Sequence, residues 1–466
     1  MALTHCTLRA GAAAVDITPP LGTHLAGAVG TYRPAQSVLE PTFARALVAA
    51  AGDQRLCIVV LDVCIVTAEY SAPIRQATAE LLGCGPESVL VCATQTHSAP
   101  TLGHIMVDPD FPALPPEFEF LRGGEAAYYD WALPRAIEAV RLAAERLEPV
   151  EIAAGSGIEG RFAFNRRAVG RNGQVGMPGR RWDNPLGPTW IRYLEGPMDP
   201  EVGVVAFRRL SGEPLAVLVH HTCHPVHVFP RTIISPDWPG AVCDALQAAY
   251  GPGCTPLVLN GACGNINPWP PFDPEYPDDH RLMGQALAEM AEKVMASLQY
   301  TAEAAVAGKS CHLPLPFRDL TAEELSWASN ILSRHPVPPW ADEARTQVDR
   351  DWTVAASIHS VHLQRRREGK LSYEVQALRL GPAAVIGLPG EPFVEGQLAI
   401  KLGSPVYPTY VAHAATQYVG YIPTAAALQR GGHEVSTRYW AKLVPEALDL
   451  VVAGAVGALS DVCGEG

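Results

Sequence analysis

The sequence predicts an α/β fold of the mixed α+β kind: mixed β-sheets flanked by helices in one large domain spanning residues 1–466. Two observations carry this. Short β-branched runs alternate with stretches of helical composition, a pattern that favours a layered α/β core. In addition, neither an internal repeat nor a flexible linker interrupts the chain. Arg55 to Val63 reads as a strand ending in Asp62, Ala68 to Leu82 as a helix, and Ser88 to Ala93 as a second strand running into Thr94-Gln95-Thr96-His97-Ser98. Tyr129 to Leu147 is an amphipathic helix, with Ala132, Ala136, Val140, Ala143 and Leu147 near helical spacing. Arg161 to Pro200 is polar and rich in Gly and Arg, and reads as a long ordered loop over a site. Strands resume at Val202 to Phe207, Leu215 to His220 and Pro256 to Asn260, with helices over Gly240 to Ala249 and Asp279 to Leu298. Thr321 and Glu324 form a capping box that opens a further helix, and Val385 to Leu388 is a short buried strand stopped by Pro389-Gly390-Glu391.

Composition narrows the function classes. The chain carries 35 Lys and Arg against 48 Asp and Glu, a formal charge of −13. That balance disfavours nucleic acid and anionic membrane surfaces as partners, since both select basic faces. No stretch is long and apolar enough for a membrane span. The 41 Gly and 42 Pro are scattered, as in a protein with many ordered loops. Eleven cysteines without a CxxC pair, several inside apolar runs such as Leu56-Cys57-Ile58, fit buried free thiols in a reducing compartment. With no basic start and apolar stretch at the N-terminus, the expected location is the cytoplasm. The expected partner is a small-molecule substrate, and a homo-oligomer is compatible with the sequence.

The chemistry-bearing residues fall at strand ends. His220-His221-Thr222-Cys223-His224-Pro225-Val226-His227 places four histidines in eight residues, and imidazole is the commonest zinc ligand. Strand alternation prevents all four from converging, so one or two are ligands and the others pack. Gln95 and His97 would share a face if their strand persisted, at a position where α/β proteins place catalytic groups. Glu391 follows a buried strand, as a metal ligand, a general base or a helix cap. Gly431-Gly432-His433-Glu434 sets a histidine in a tight turn. Asn260-Gly261-Ala262-Cys263-Gly264-Asn265-Ile266-Asn267-Pro268 could present backbone N–H groups to an oxyanion. There is no HExxH, no GxSxG and no kinase signature.

Taken in order, several segments resemble the neutral/alkaline (non-lysosomal) ceramidase family. They are Gly11 to Pro20, Thr94 to Pro100, Asn165-Arg166-Arg167, Cys223-His224-Pro225, Ser235 to Gly240, Asn260 to Pro268, Pro389-Gly390-Glu391 and Gly432-His433-Glu434. The resemblance covers nearly the whole chain and corresponds to that family's catalytic domain, without its secretion signal or C-terminal immunoglobulin-like domain. It implies a zinc amidase in which a metal-activated water attacks an amide carbonyl. His224 and Glu391 match two of the family's metal ligands. His433 stands where the family has a tyrosine ligand, and Gln95 where it has its first histidine ligand. His97 matches an active-site histidine, Arg166 a substrate-contacting arginine, and Tyr439 a catalytic tyrosine with the spacing one residue off. Asn267 replaces a serine near the scissile bond; an amide can donate to an oxyanion but is no nucleophile.

The expectation is therefore a metal-dependent hydrolase acting on a small polar amide rather than ceramide. Zinc, or another divalent transition metal, is held by His224, Glu391, His433 and either Gln95 or His97, while His97, Arg166, Asn267 and Tyr439 act on substrate. Two other readings stand beside it: a metal-dependent lyase or isomerase of a polyhydroxy or carboxylic substrate, and a non-catalytic ligand-binding relative.

Overall fold

A computed structural model describes residues 5–178, 190–273 and 275–464. Its larger sheet runs from edge to edge through Thr255–Asn260, Pro214–His221, Glu201–Arg209, Glu148–Ile158, Cys6–Asp16, Phe43–Ala51, Gln54–Leu61 and Val89–Ala93, with Glu303–Ala304 also pairing on Cys6–Asp16. A smaller sheet is built from Val306–Pro316, Lys370–Leu380, Ala383–Gly387 and Thr409–Ala412. The two sheets share one apolar layer: Leu47, Ile58 and Leu90 of the first cluster with Leu378, Val385 and Tyr410 of the second. Strands buried on both faces read as continuous apolar runs, as in Leu56-Cys57-Ile58-Val59-Val60-Leu61, rather than as alternation.

Helices cover the outer faces. Ala68–Leu82 and Ala126–Glu145 pack on the larger sheet through Ile74, Ala136 and Val140, and Asp237–Tyr250 and His280–Ser297 cover its other half through Leu246 and Leu287. Val394–Gly403 and Ala447–Cys463 cover the smaller sheet through Ile400, Val451 and Leu459. The result is a mixed α/β architecture of sheet on sheet with helices outside, as the sequence predicts.

Most elements lie where the sequence places them: Ala68–Leu82 agrees at both ends, and Thr321 and Glu324 make both bonds of the capping box. The stretch from 161 to 200 differs. Instead of one long loop, it folds into Phe164–Asn165 and a small sheet of Ala168–Gly170, Val175–Gly176 and Ile191–Leu194, with 179–189 outside the described residues. Its strands are too short to leave a periodicity. None of the eleven cysteines forms a disulfide.

Strand direction positions the site. Neighbours in both sheets are antiparallel except for three parallel pairs: Gln54–Leu61 with Val89–Ala93, Pro214–His221 with Thr255–Asn260, and Ala383–Gly387 with Thr409–Ala412. The carboxyl ends of parallel strands are where open α/β sheets leave a crevice for ligands.

Candidate active site

Residues following these three parallel pairs meet in one place. Asn260 ties them together. Its side chain accepts from the Cys223 N–H (3.2 Å) and donates to the Thr94 carbonyl (3.0 Å), and its carbonyl accepts from the His413 N–H (3.0 Å). Around this node lies a cavity of about 190 Å³ lined by Gln95, His97, Arg166, Asn267, Glu391 and His433, together with Tyr418, Tyr421, Met177, Trp269 and Trp440. Six residues singled out in the sequence are thus gathered from positions 95 to 433.

His224 lies just behind the wall, fully buried, with Nε2 at 3.2 Å from Glu391 Oε2. Its Nδ1 lies 3.0 Å from the Ile266 carbonyl, which can only accept, so the ring's proton is on Nδ1 and Nε2 presents a lone pair. Burial holds this imidazole neutral, well below its usual pKa, and Arg166 adds to the effect. A neutral nitrogen and a carboxylate oxygen therefore point electron pairs at each other, an arrangement that a cation between them satisfies. Tyr418 donates to the other carboxylate oxygen of Glu391 at 2.9 Å. A histidine anchored on a backbone carbonyl and a carboxylate steadied by a hydroxyl are the outer contacts that metal ligands typically have. This donor set fits zinc as a two-ligand core. Among the described residues no group of three or more His, Cys, Asp and Glu is already assembled around a metal position.

His97 stands beside this pair, its ring centroid 5.5 Å from that of His224. Its Nδ1 is fixed by the Gln95 carbonyl at 2.9 Å, leaving Nε2 as an acceptor. Burial, reinforced by His224, lowers its pKa to about 3, so it is neutral near pH 7. Gly27 makes room for it: with φ of 97°, it approaches so closely that a Cβ there would lie 2.4 Å from His97 Cδ2. Gln95 itself has φ of 68°, and its side-chain oxygen accepts from the Cys263 thiol at 3.3 Å.

Arg166 is buried and fully engaged. Nε donates to Glu434 (2.8 Å), Nη2 to the Gly264 carbonyl (2.7 Å) and Tyr421 (3.1 Å), and Nη1 to Asn267 Oδ1 (3.2 Å). Because a guanidinium can only donate, this last bond fixes which end of the Asn267 amide faces it. The amide NH₂ is turned toward Met177 Sδ at 3.6 Å, a weak acceptor on the cavity wall. Glu434 also binds Arg167. Burial alone would raise the Glu434 carboxyl, but Arg166 and Arg167 bring it down to about 2. His433 packs its ring on Trp440 (5.0 Å between centroids) and faces Tyr421 at 6.3 Å, and burial lowers its pKa to about 4.

Two expectations change. Tyr439 is not brought to the cavity. It is buried in the core beside the smaller sheet, with Lys442 Nζ over its ring at 3.6 Å, while the next residue, Trp440, lines the cavity. The glycine-rich turn after Asn260 also plays a different part. Its N–H groups at 261, 262, 264 and 266 are spent on His221, Gln397, Pro392 and Cys263 and so are not available to an oxyanion, while the Gly264 carbonyl accepts from Arg166. Gly264 is needed because a Cβ there would lie 2.5 Å from the Glu391 carbonyl.

No protein-family model matches the sequence, and neither does any curated protein. Solved structures do. The chain is similar to the neutral ceramidase from Pseudomonas aeruginosa, with a TM-score of 0.69 over 98% of this chain and 75% of that one, at 16% identity. The fold is similar to that of a neutral ceramidase. A ceramidase complexed with C2 gives a TM-score of 0.68 at the same coverage and identity. At this identity the ceramidase likeness concerns the fold. Tyr418, Tyr421, Met177, Trp269 and Trp440 on the cavity wall, and His413 behind it, are not singled out by the sequence. Only the Tyr418-Val419-Gly420-Tyr421 spacing carried any signal, two tyrosines around a glycine just after a strand.

Proposed function

We propose that the chain is a metal-dependent hydrolase that cleaves the C–N amide bond of a small polar substrate. The observation that carries this reading is the buried His224–Glu391 pair, two electron-pair donors 3.2 Å apart at the wall of a polar cavity. Zinc would be held by His224 and Glu391, with His433 and either Gln95 or His97 supplying the remaining donors. When bound, it would supply Lewis acidity and a water acidic enough to lose its proton near neutrality. The ceramidase-like fold supports an amide bond as the target.

The other steps belong to the chain's own residues. With Gln95 rather than His97 as the remaining donor, His97 keeps Nε2 free to take the proton lost by the attacking water and to return it to the leaving amine. The Asn267 NH₂ donates to the carbonyl oxygen as negative charge builds there, and Arg166 keeps the amide turned that way. Tyr418 and the Ile266 carbonyl hold Glu391 and His224 in place. The aromatic wall of Tyr421, Trp269 and Trp440 limits water around the reacting bond.

The test is metal content and turnover measured together. Purified protein is expected to carry one zinc per chain, to lose it and its amidase activity to a chelator, and to regain both on adding zinc. His224→Ala and Glu391→Gln should each lower zinc content. Full activity in chelator with no bound metal would overturn the reading.

A further inference from the structure

A second cavity lies beside the one just described. It holds about 660 Å³, and a third pocket of about 20 Å³, a neck between them, shares walls with both. His24, Phe120 and Gly123 line both the outer cavity and the neck, and Gly27, Val29 and Ile105 line both the neck and the inner cavity. The neck's volume of about 20 Å³ is little more than one water needs and too little for a ring, so a substrate reaching the inner cavity from the outer one keeps its bulkier end outside.

The outer walls state what that end is. Tyr32, Phe120 and Trp340 form a continuous aromatic surface: Tyr32 and Phe120 have centroids 5.1 Å apart, and Phe120 and Trp340 lie nearly parallel (11°) at 6.1 Å. Tyr32 is 41% exposed, so this face is open to a ligand. Charges of both signs surround it: Glu117, Glu119 and Glu125 against Arg122 and Arg345. Arg122 is spent on Glu119 and on backbone carbonyls, and Glu125 on the His24 N–H, whereas Glu117 and Arg345 are exposed on the rim. The exposed Glu117 and Arg345 offer a ligand an acceptor and a set of donors, which an aliphatic chain could not use and a cation would meet with a guanidinium opposed. A neutral ring dense in hydroxyl groups suits both features. Its C–H face stacks on the aromatic surface, and its hydroxyls pair with acceptors and donors alike.

We infer that this outer cavity is a binding site for a neutral polyhydroxylated ring, so that the substrate is an N-acylated amine whose remote end is sugar-like. The inference rests on the amide-hydrolase reading only in treating the ring as part of a substrate. The probe is methyl β-D-glucopyranoside, which has no amide, titrated calorimetrically into the full chain. Saturable binding is expected, weakened at least tenfold by Trp340→Ala and by Tyr32→Ala, and left within twofold by Glu391→Gln. Trp340→Phe, which keeps a ring, should retain most of the affinity and shows that loss in the alanine variant is not misfolding. Absence of saturable binding, indifference to both aromatic substitutions, or Trp340-dependent binding of benzyltrimethylammonium in its place would each overturn the inference. Acetate release from N-acetyl-2-aminoethyl β-D-glucopyranoside, whose amide sits on a chain outside the ring, separates the two readings. Glucoside binding without release would count against the hydrolase and leave the ring site standing.

Discussion

At position 95 a fully buried glutamine adopts a left-handed backbone conformation, φ 68°, that L residues generally avoid. Such strain persists only where surrounding structure imposes it, and it concentrates at functional sites. Here it turns the Gln95 carbonyl onto His97 Nδ1 and its side chain onto Cys263. Replacing its neutral oxygen with imidazole nitrogen, Gln95→His, should tighten zinc binding at least tenfold, as measured by competition with a chromogenic chelator. Gly27→Ala acts on the neighbouring residue: the new methyl displaces the His97 ring. Hydrolysis should fall at least 100-fold, with a stability loss of about 1–2 kcal/mol in denaturant titration. Some of this was legible beforehand. Histidines and a carboxylate beside Gly and Pro at strand ends announce themselves by type and position, and His97, His224, Glu391 and Arg166 all meet. Tyr418 and His413 did not announce themselves, because only the return of the smaller sheet brings Thr409–Ala412 against Asn260.

Elements meet the site through bridging side chains. Asn260 joins the ends of all three parallel pairs, so Asn260→Leu would leave a carbonyl and an N–H buried without partners. A loss of about 2–4 kcal/mol is expected, together with weaker zinc binding, read by calorimetry and metal titration. The Arg166–Glu434–Arg167 cluster links the segment after 164 to that after 431. Glu434 has its folded-state pKa depressed to about 2 from 4.5. Its contribution is therefore complete above the unfolded value and is lost as pH falls from about 4.5 toward 2, on the order of 3 kcal/mol. Melting temperature should drop over that window, and Glu434→Gln should flatten that part of the pH profile while lowering stability at pH 7. The large strands and helices of the fold were readable from apolar runs and amphipathic spacing. The small sheet between 164 and 194 was not, since strands of two to four residues owe their pairing to neighbours rather than to pattern.

Across the whole molecule, the shared layer between the two sheets makes each the cover of the other. A fragment ending at residue 300 keeps most of the larger sheet but loses Leu378, Val385 and Tyr410 from that layer, and Glu391 with them. It should bind a hydrophobic dye, melt without a cooperative transition and take up no stoichiometric zinc, as checked by fluorescence and circular dichroism. Sequence order and spatial order also diverge. Cys6–Asp16 pairs with Phe43–Ala51 on one side and meets Glu148–Ile158 on the other, and Glu391 lies 167 residues after its partner His224. At synthesis rates of about 5–20 residues per second, that interval is roughly 8 to 33 seconds. Throughout it the emerging chain holds His224 without its carboxylate. On the proposed function, a ribosome-bound precursor that has not yet exposed Glu391 would neither retain the metal nor turn over an amide, so activity would wait for that carboxylate.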